Sequence, residues 1–377
     1  MKELKTNIKK NILFGVIIGI LVFPGIQKHT GIVHEIGLKG AIVPVAKPDF
    51  TMRGWFDASC QEKMETYLNE SFGLRNYFVR INNQIAFTFF RKAKASGVII
   101  GKEKYLYEEN YIRAYYGLDF IGEDSILHRM QKLKYVQDTL EKINKQIFIV
   151  FAAGKGSFYP EYFPDNYKTK KGKTNYVCHV QCARKLGVKY IDFNNYFLEK
   201  KNSSPYPLYP KHGIHWSYYG SCLVADSIIR YIEKGMDYHF ADVEWNKITV
   251  RKEKDVDYDI GRGMNLIFKL KREKMAYPQI SFISDSTKTK PSIIVIADSF
   301  YWILYNMGIS NAFAQNHFWY YNKEIYPESF SSPTETSQIN LKEELDKHDV
   351  IVLLATEATL SGLGWGFIEN TYNLFIY

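Results

Sequence analysis

Ser299 is the residue in this chain best placed for nucleophilic chemistry. It follows the run Ser292-Ile293-Ile294-Val295-Ile296-Ala297-Asp298, which reads as a buried strand ending in a small residue and an acid. At the carboxyl end of a parallel strand, a hydroxyl lands on the ligand-binding edge of the sheet, near the first amides of the following helix. Those amides can stabilise an oxyanion, and Ala297 permits a tight turn. Asp-Ser is also a common pair for opening a helix, so the stretch by itself leaves a structural role open. A serine needs a neighbouring base to become nucleophilic. His215, in His212-Gly213-Ile214-His215-Trp216-Ser217, precedes an amphipathic helix in the only other stretch of the chain built around an imidazole.

These residues need a rigid frame, and the sequence predicts one. Short apolar strands at Ile147–Ala152, Lys189–Asp192, Ile293–Ala297 and Val350–Ala355 alternate with helices at Ser125–Ile143, Thr174–Leu186, Tyr218–Glu233 and Phe367–Leu374. That pattern predicts one mainly parallel sheet covered on both faces. Upstream, Cys60–Ala95 reads as helical, and Val98–Tyr107 as two short strands around a polar turn. The chain opens with Lys2, Lys5, Lys9 and Lys10 ahead of an apolar run from Ile12 to Ile26. About fifteen residues at ~1.5 Å rise span roughly 22 Å, short of a ~30 Å hydrocarbon core. Yet Gln27-Lys28-His29-Thr30 offers no small-x-small cleavage site, so an uncleaved anchor with its basic flank in the cytoplasm is expected. The expected organisation is an anchor over 1–30, a tether and helical segment over 31–96, and an α/β domain over 97–377.

Composition removes other classes. A net charge of +9 suggests nucleic acid, but only 11 of the 49 basic residues are Arg, and the Lys are scattered, so nucleic-acid binding is not expected. Four cysteines make no disulfide framework in 377 residues, and Cys178 and Cys182 lack a second ligand pair for zinc. Gly172-Lys173-Thr174 and Gly154-Lys155-Gly156 fail as phosphate loops, because Tyr167 and Ile149 stand where the leading glycine belongs. Asp255, Asp257 and Asp259 alternate like a calcium loop, but Ile260 and Leu266 occupy its glycine and glutamate positions, so the stretch reads as a solvated face. No metal and no cofactor are expected.

Around the Ser–His pair the chain resembles the SGNH-hydrolase-like proteins of the alginate O-acetyltransferase type (AlgX/AlgJ type). The resemblance rests on Phe72-Gly73-Leu74-Arg75, the hairpin from Val98 to Tyr107, and Lys155 followed by Tyr159-Pro160-Glu161 and Pro164. It continues through His215-Trp216-Ser217, Asp298-Ser299-Phe300, Thr356-Glu357 and Gly366-Phe367. It implies a three-layer, flavodoxin-like α/β sandwich and an extracytoplasmic O-acetyltransferase or acetylesterase acting on a cell-surface polysaccharide. In that reading Ser299 carries the acyl group and His215 serves as base and then acid. A multi-spanning membrane acyltransferase would deliver the acyl group, since no acetyl-CoA is expected outside the membrane. A non-catalytic glycan-binding or assembly subunit on the same fold is the competing expectation. The family usually writes Asp-x-His-Trp, and here the Asp position is Gly213. Asp192 and Glu357, each at a strand end, are the candidate replacements, and a dyad without an acid is the other possibility. Trp216, Lys155, Gly156 and Asp298 are the expected substrate-binding residues, with Trp216 walling the pocket, Lys155 and Gly156 bordering it, and Asp298 beside Ser299, its carboxylate turned away along the elbow.

Overall fold

The computed structural model describes residues 2–40, 45–236, 239–284, 288–326 and 334–376. The chain divides into two compact units, residues 1–96 with 261–270, and residues 97–260 with 271–377. The contiguous boundary expected near residue 97 therefore omits ten residues, 261–270, which fold with the first unit.

In the first unit, one helix runs from Lys2 to Thr30 through Pro24, over the span expected for the anchor and past the apolar run that ends at Ile26. Its 23-residue apolar stretch Ile8–Thr30 has a mean hydropathy of 1.7, and at ~1.5 Å rise per residue it spans roughly 35 Å. It is long and apolar enough to cross a membrane, which corrects the short estimate. Phe14 and Leu21 are 67% and 70% exposed, so water-facing apolar surface runs round this helix instead of along one buried stripe. The helical text from Cys60 breaks into Ser59–Ser71 and Arg75–Phe90. Leu74 sits between them at φ 64°, and the Glu35 carboxylate accepts its amide at 2.6 Å. A side chain capturing that orphan donor stabilises the second helix start.

Among the described residues the second unit holds eleven strands: β1 Val98–Ile100, β2 Leu106–Glu108, β3 Gln146–Ala152, β4 Tyr190–Asp192, β5 Asp242–Lys252, β6 Lys274–Ile283, β7 Ser292–Ala297, β8 Gln315–Tyr320, β9 Glu324–Tyr326, β10 Thr334–Glu335 and β11 Val350–Thr356. The main sheet has the order β10-β9-β8-β7-β11-β3-β4, parallel from β8 to β4, with β9 and β10 antiparallel at one edge. The four expected strands are the contiguous group β7-β11-β3-β4. Every residue of β3 and β11 is buried. One face carries Ile147, Ile149, Phe151, Ile294, Ile296, Ile351 and Leu353 against the helices Glu123–Glu141, Asn175–Leu186 and Phe367–Ile376. On the other, Phe148 meets Tyr231 of the helix Tyr218–Met236, ring centres 4.8 Å apart. Each such fully buried apolar side chain contributes about 1.5–3 kcal/mol. That makes the carboxyl edge of the sheet a stiff platform for loops. β5 and β6 form a separate antiparallel ribbon, with most of β5 exposed.

Candidate active site

At the end of β7, Asp298 makes the elbow rather than the pocket. It is 1% exposed; its Oδ1 accepts the Phe300 amide at 3.0 Å, and its Oδ2 accepts the Thr356 amide at 2.8 Å and the Thr359 hydroxyl at 2.7 Å. A carboxylate stitched this fully to the end of β11 holds the turn rigid and leaves the next residue, Ser299, on the open side. Asp298 is therefore structural: its carboxylate turns away along the elbow as expected, and its assignment to substrate binding is corrected.

His215 meets that serine: its Nε2 lies 3.0 Å from Ser299 Oγ. Its Nδ1 lies 2.6 Å from Asp259 Oδ2. With Nδ1–H donated to the carboxylate, Nε2 carries the lone pair and accepts from the serine hydroxyl. Asp259 is itself fixed, since its Oδ1 accepts the amides of Ile214 at 3.0 Å and Ile260 at 2.6 Å. Burial pulls the His215 imidazole down, but the hydrogen bond and charge of Asp259 outweigh it and raise its pKa above the usual value. The arrangement can take a proton from Ser299, stabilise the imidazolium formed, and return the proton to a leaving group.

Neither carboxylate expected to orient the imidazole does so. Asp192 caps the helix Phe193–Lys200, accepting the Asn195 amide at 3.0 Å, and also accepts the Tyr176 hydroxyl at 2.9 Å. Glu357 is 5% exposed and accepts from Ser157 Oγ at 2.7 Å and Asn194 Nδ2 at 3.0 Å. Its Oε2 lies against Gly154, where an added Cβ would stand 2.3 Å away. Burial pushes its carboxyl up to about 7. Gly213 explains the substitution. A Cβ there would stand 2.4 Å from the Val256 carbonyl, so the bare glycine lets the 255–259 segment lie against the histidine loop and bring Asp259 in. The solvated-face reading of this segment is thus overturned: Asp257 is fully buried and Asp259 faces His215. Burial, with the charges of Asp259 and Glu253, pushes the Asp257 carboxyl up to about 8.

Trp216, Lys155 and Gly156 also move from the pocket to its foundations. Trp216 is 0% exposed, its indole packed among Phe193, Phe197 and Phe300. Lys155 is fully buried; its Nζ donates to the carbonyls of Lys211 at 2.9 Å and Gly213 at 2.5 Å, pinning the loop that carries His215. Burial pulls its ammonium down to about 7 against the upward pull of Asp259, Glu253 and Glu108. A Cβ on Gly156 would stand 2.4 Å from the Tyr111 carbonyl, so that glycine serves close packing. Residue type could not separate these roles from substrate contact. Tyr321, at φ 50°, was missed: its phenol is hydrogen-bonded to the Ser299 backbone, and its ring stands perpendicular to Trp365 at 5.1 Å. Its one sequence signal is position, at the end of a strand adjoining β7.

A mainly parallel, helix-covered sheet with this elbow at its carboxyl edge is the SGNH hydrolase-like fold. The chain belongs to the family described as the SGNH hydrolase-like domain of the acetyltransferase AlgX, whose family model matches residues 98–289. Among solved structures, it is similar to the O-acetyltransferase domain of Pseudomonas putida AlgJ (13% identity, 74% of this chain and 99% of that one, TM-score 0.47). It is also similar to Bacillus cereus PatB1 with a sulfonyl adduct (11%, 64% and 92%, TM-score 0.44). A third is Pseudomonas aeruginosa AlgX (14%, 69% and 55%, TM-score 0.40). No curated protein sequence matches the chain.

Proposed function

We propose that this protein is a membrane-anchored, extracytoplasmic O-acyltransferase, working through an acyl-serine intermediate on a cell-surface polysaccharide. The observation that carries this is the continuous line Ser299 Oγ–His215 Nε2 and His215 Nδ1–Asp259 in a chain of the AlgX acetyltransferase family. Ser299 Oγ attacks the donor carbonyl while His215 takes its proton. The tetrahedral intermediate collapses as His215 returns the proton to the leaving group, leaving an ester on Ser299. A sugar hydroxyl then attacks that ester, His215 again takes the proton, and Ser299 is regenerated. Water in place of the sugar gives the esterase reaction. Tyr321 and Trp365, both partly exposed, offer ring faces suited to a sugar beside the serine. The 23-residue apolar helix supports anchoring, and the Lys-rich flank supports a body outside the cytoplasm. A multi-spanning acyltransferase remains the proposed source of the acyl group.

The test uses the full chain in detergent with a small acetyl-ester donor. Acetyl mass is expected on the peptide containing Ser299, followed by transfer to an added oligosaccharide. No acylation of wild-type protein, with folding confirmed, would move the assignment to a non-catalytic glycan-binding subunit.

A further inference from the structure

At the opposite end of the main sheet, two imidazoles and a carboxylate converge. His317 lies on β8, paired in register with Ile294 of β7; Glu344 lies on the helix Leu341–Lys347; His348 follows that helix just before β11. One donor atom from each lies within 4.8 Å of the others. His317 Nδ1 is 2.9 Å from Glu344 Oε2, and the two imidazole ring centres are 4.4 Å apart. His348 is fully buried, with Nδ1 on the Glu344 carbonyl at 2.7 Å. Its Nε2 has no partner among the described residues. A buried polar atom left unpaired carries a desolvation penalty that folding ordinarily avoids. Here it is a lone-pair nitrogen, since Nδ1 bears the proton donated to the carbonyl. A histidine held through one nitrogen by a carbonyl, with the other left as a ligand, is the usual arrangement at metal centres.

We propose that His317, Glu344 and His348 form a binding site for a first-row divalent cation, of which zinc is the probe. Two imidazoles and one carboxylate are the borderline donors that zinc takes, at ~2.0–2.2 Å. Tetrahedral geometry at those lengths sets donors about 3.3 Å apart. The His317–Glu344 pair, at 2.9 Å, is near this spacing, while His348 stands 3.9 Å from Glu344 Oε2 through its Nδ1, so binding the ion requires side-chain rotation that turns His317 and Glu344 toward His348 Nε2. These two keep 12% and 11% side-chain exposure, which gives an ion its entry and water the fourth position. Lys347 meets Glu344 at Oε1, at 3.3 Å, and Glu343 at 3.9 Å, so Glu344 Oε2 is the oxygen turned toward the ion. Ser299 lies five residues beyond Ile294 along the β7 direction, roughly 16 Å at ~3.3 Å per residue, so the ion is structural. It ties β8 to the turn that enters β11.

The full chain in detergent, stripped with chelator, is titrated calorimetrically with zinc chloride and melted with and without the metal. One equivalent of zinc, a raised Tm and a weaker response to calcium and magnesium are expected. His317→Asn, at a partly exposed position, and Glu344→Gln, which keeps the size of the buried side chain, should each weaken zinc binding by at least about tenfold and abolish the zinc-dependent Tm increase. Ester hydrolysis should be the same with and without zinc. No stoichiometric binding overturns the proposal. So does zinc bound equally well by wild type and both variants.

Discussion

Two histidines three residues apart on one loop each place Nδ1 on a carboxylate, yet they offer different things. His212 and Glu253 are 2% and 0% exposed, and the ring of Tyr258 closes over His212. His215 and Asp259 keep 15% and 25% side-chain exposure, and the second nitrogen of His215 faces Ser299. Glu253 Oε1 also accepts the amide of Glu273, which ties the end of the ribbon to the loop. An imidazole–carboxylate pair is therefore a brace when sealed and a base when its far nitrogen meets a hydroxyl at the surface. Residue types do not distinguish them; the environment of the second nitrogen does.

The comparison breaks most sharply at the open pair. Ser299→Ala and His215→Ala are each expected to lower ester hydrolysis by about 10³-fold or more, measured as kcat/KM with folding checked by circular dichroism. Asp259→Asn should follow at roughly 10²–10⁴-fold, because the amide can hold the wrong tautomer. The pH profile adds a sign. A general base must be neutral, so activity falls as pH drops through the His215 pKa. In the wild type this limb should lie above the usual ~6.5. In Asp259→Asn burial is opposed only by the weaker pulls of Glu108 and Asp298, and the limb should move to lower pH. Adding Gly213→Asp to Asp259→Asn should restore nothing, since any Cβ at 213 meets the Val256 carbonyl at 2.4 Å. Recovery of activity would show that the acid's position is interchangeable.

The sealed pair should fail differently. Glu253→Gln disrupts the buried hydrogen bond to His212 in a dry site, and denaturant unfolding should register a loss of about 1–3 kcal/mol. Specific activity of the folded fraction should stay within about tenfold of wild type. A catalytic collapse with unchanged stability would reverse the assignment of the two pairs. The smallest effects belong to the carboxylates that sequence reasoning nominated. Asp192→Asn and Glu357→Gln should alter kcat/KM by less than about threefold, because neither carboxylate touches His215.

What could be read without coordinates was whatever short-range pattern encodes. The continuous apolar runs of β3, β7 and β11 announced buried parallel strands, because only a sheet covered on both faces dispenses with alternation. Ser299, two residues past such a run, and His215, at the mouth of an amphipathic helix, inherited their places from those elements. The edge strands β8 to β10 and the β5–β6 ribbon were not read: their aromatic and polar residues serve one-sided or solvated pairing, which carries a weaker signal. Helix Lys2–Thr30 continues past Ile26, where the apolar run ends, because Pro24 does not stop it.

Tertiary structure alone decided which acid serves His215. Asp259 stands 44 residues further along, beyond the first strand of the ribbon, and reaches the imidazole only because Gly213 lets the 255–259 backbone lie against its loop. Tertiary packing also decided that Trp216, Lys155 and Asp298, polar-tipped residues flanking the motifs, are buried beneath the site instead of lining it. Local sequence determines where a strand ends and a hydroxyl emerges. Which distant carboxylate comes to meet it depends on loop closure and packing, which residue spacing does not record.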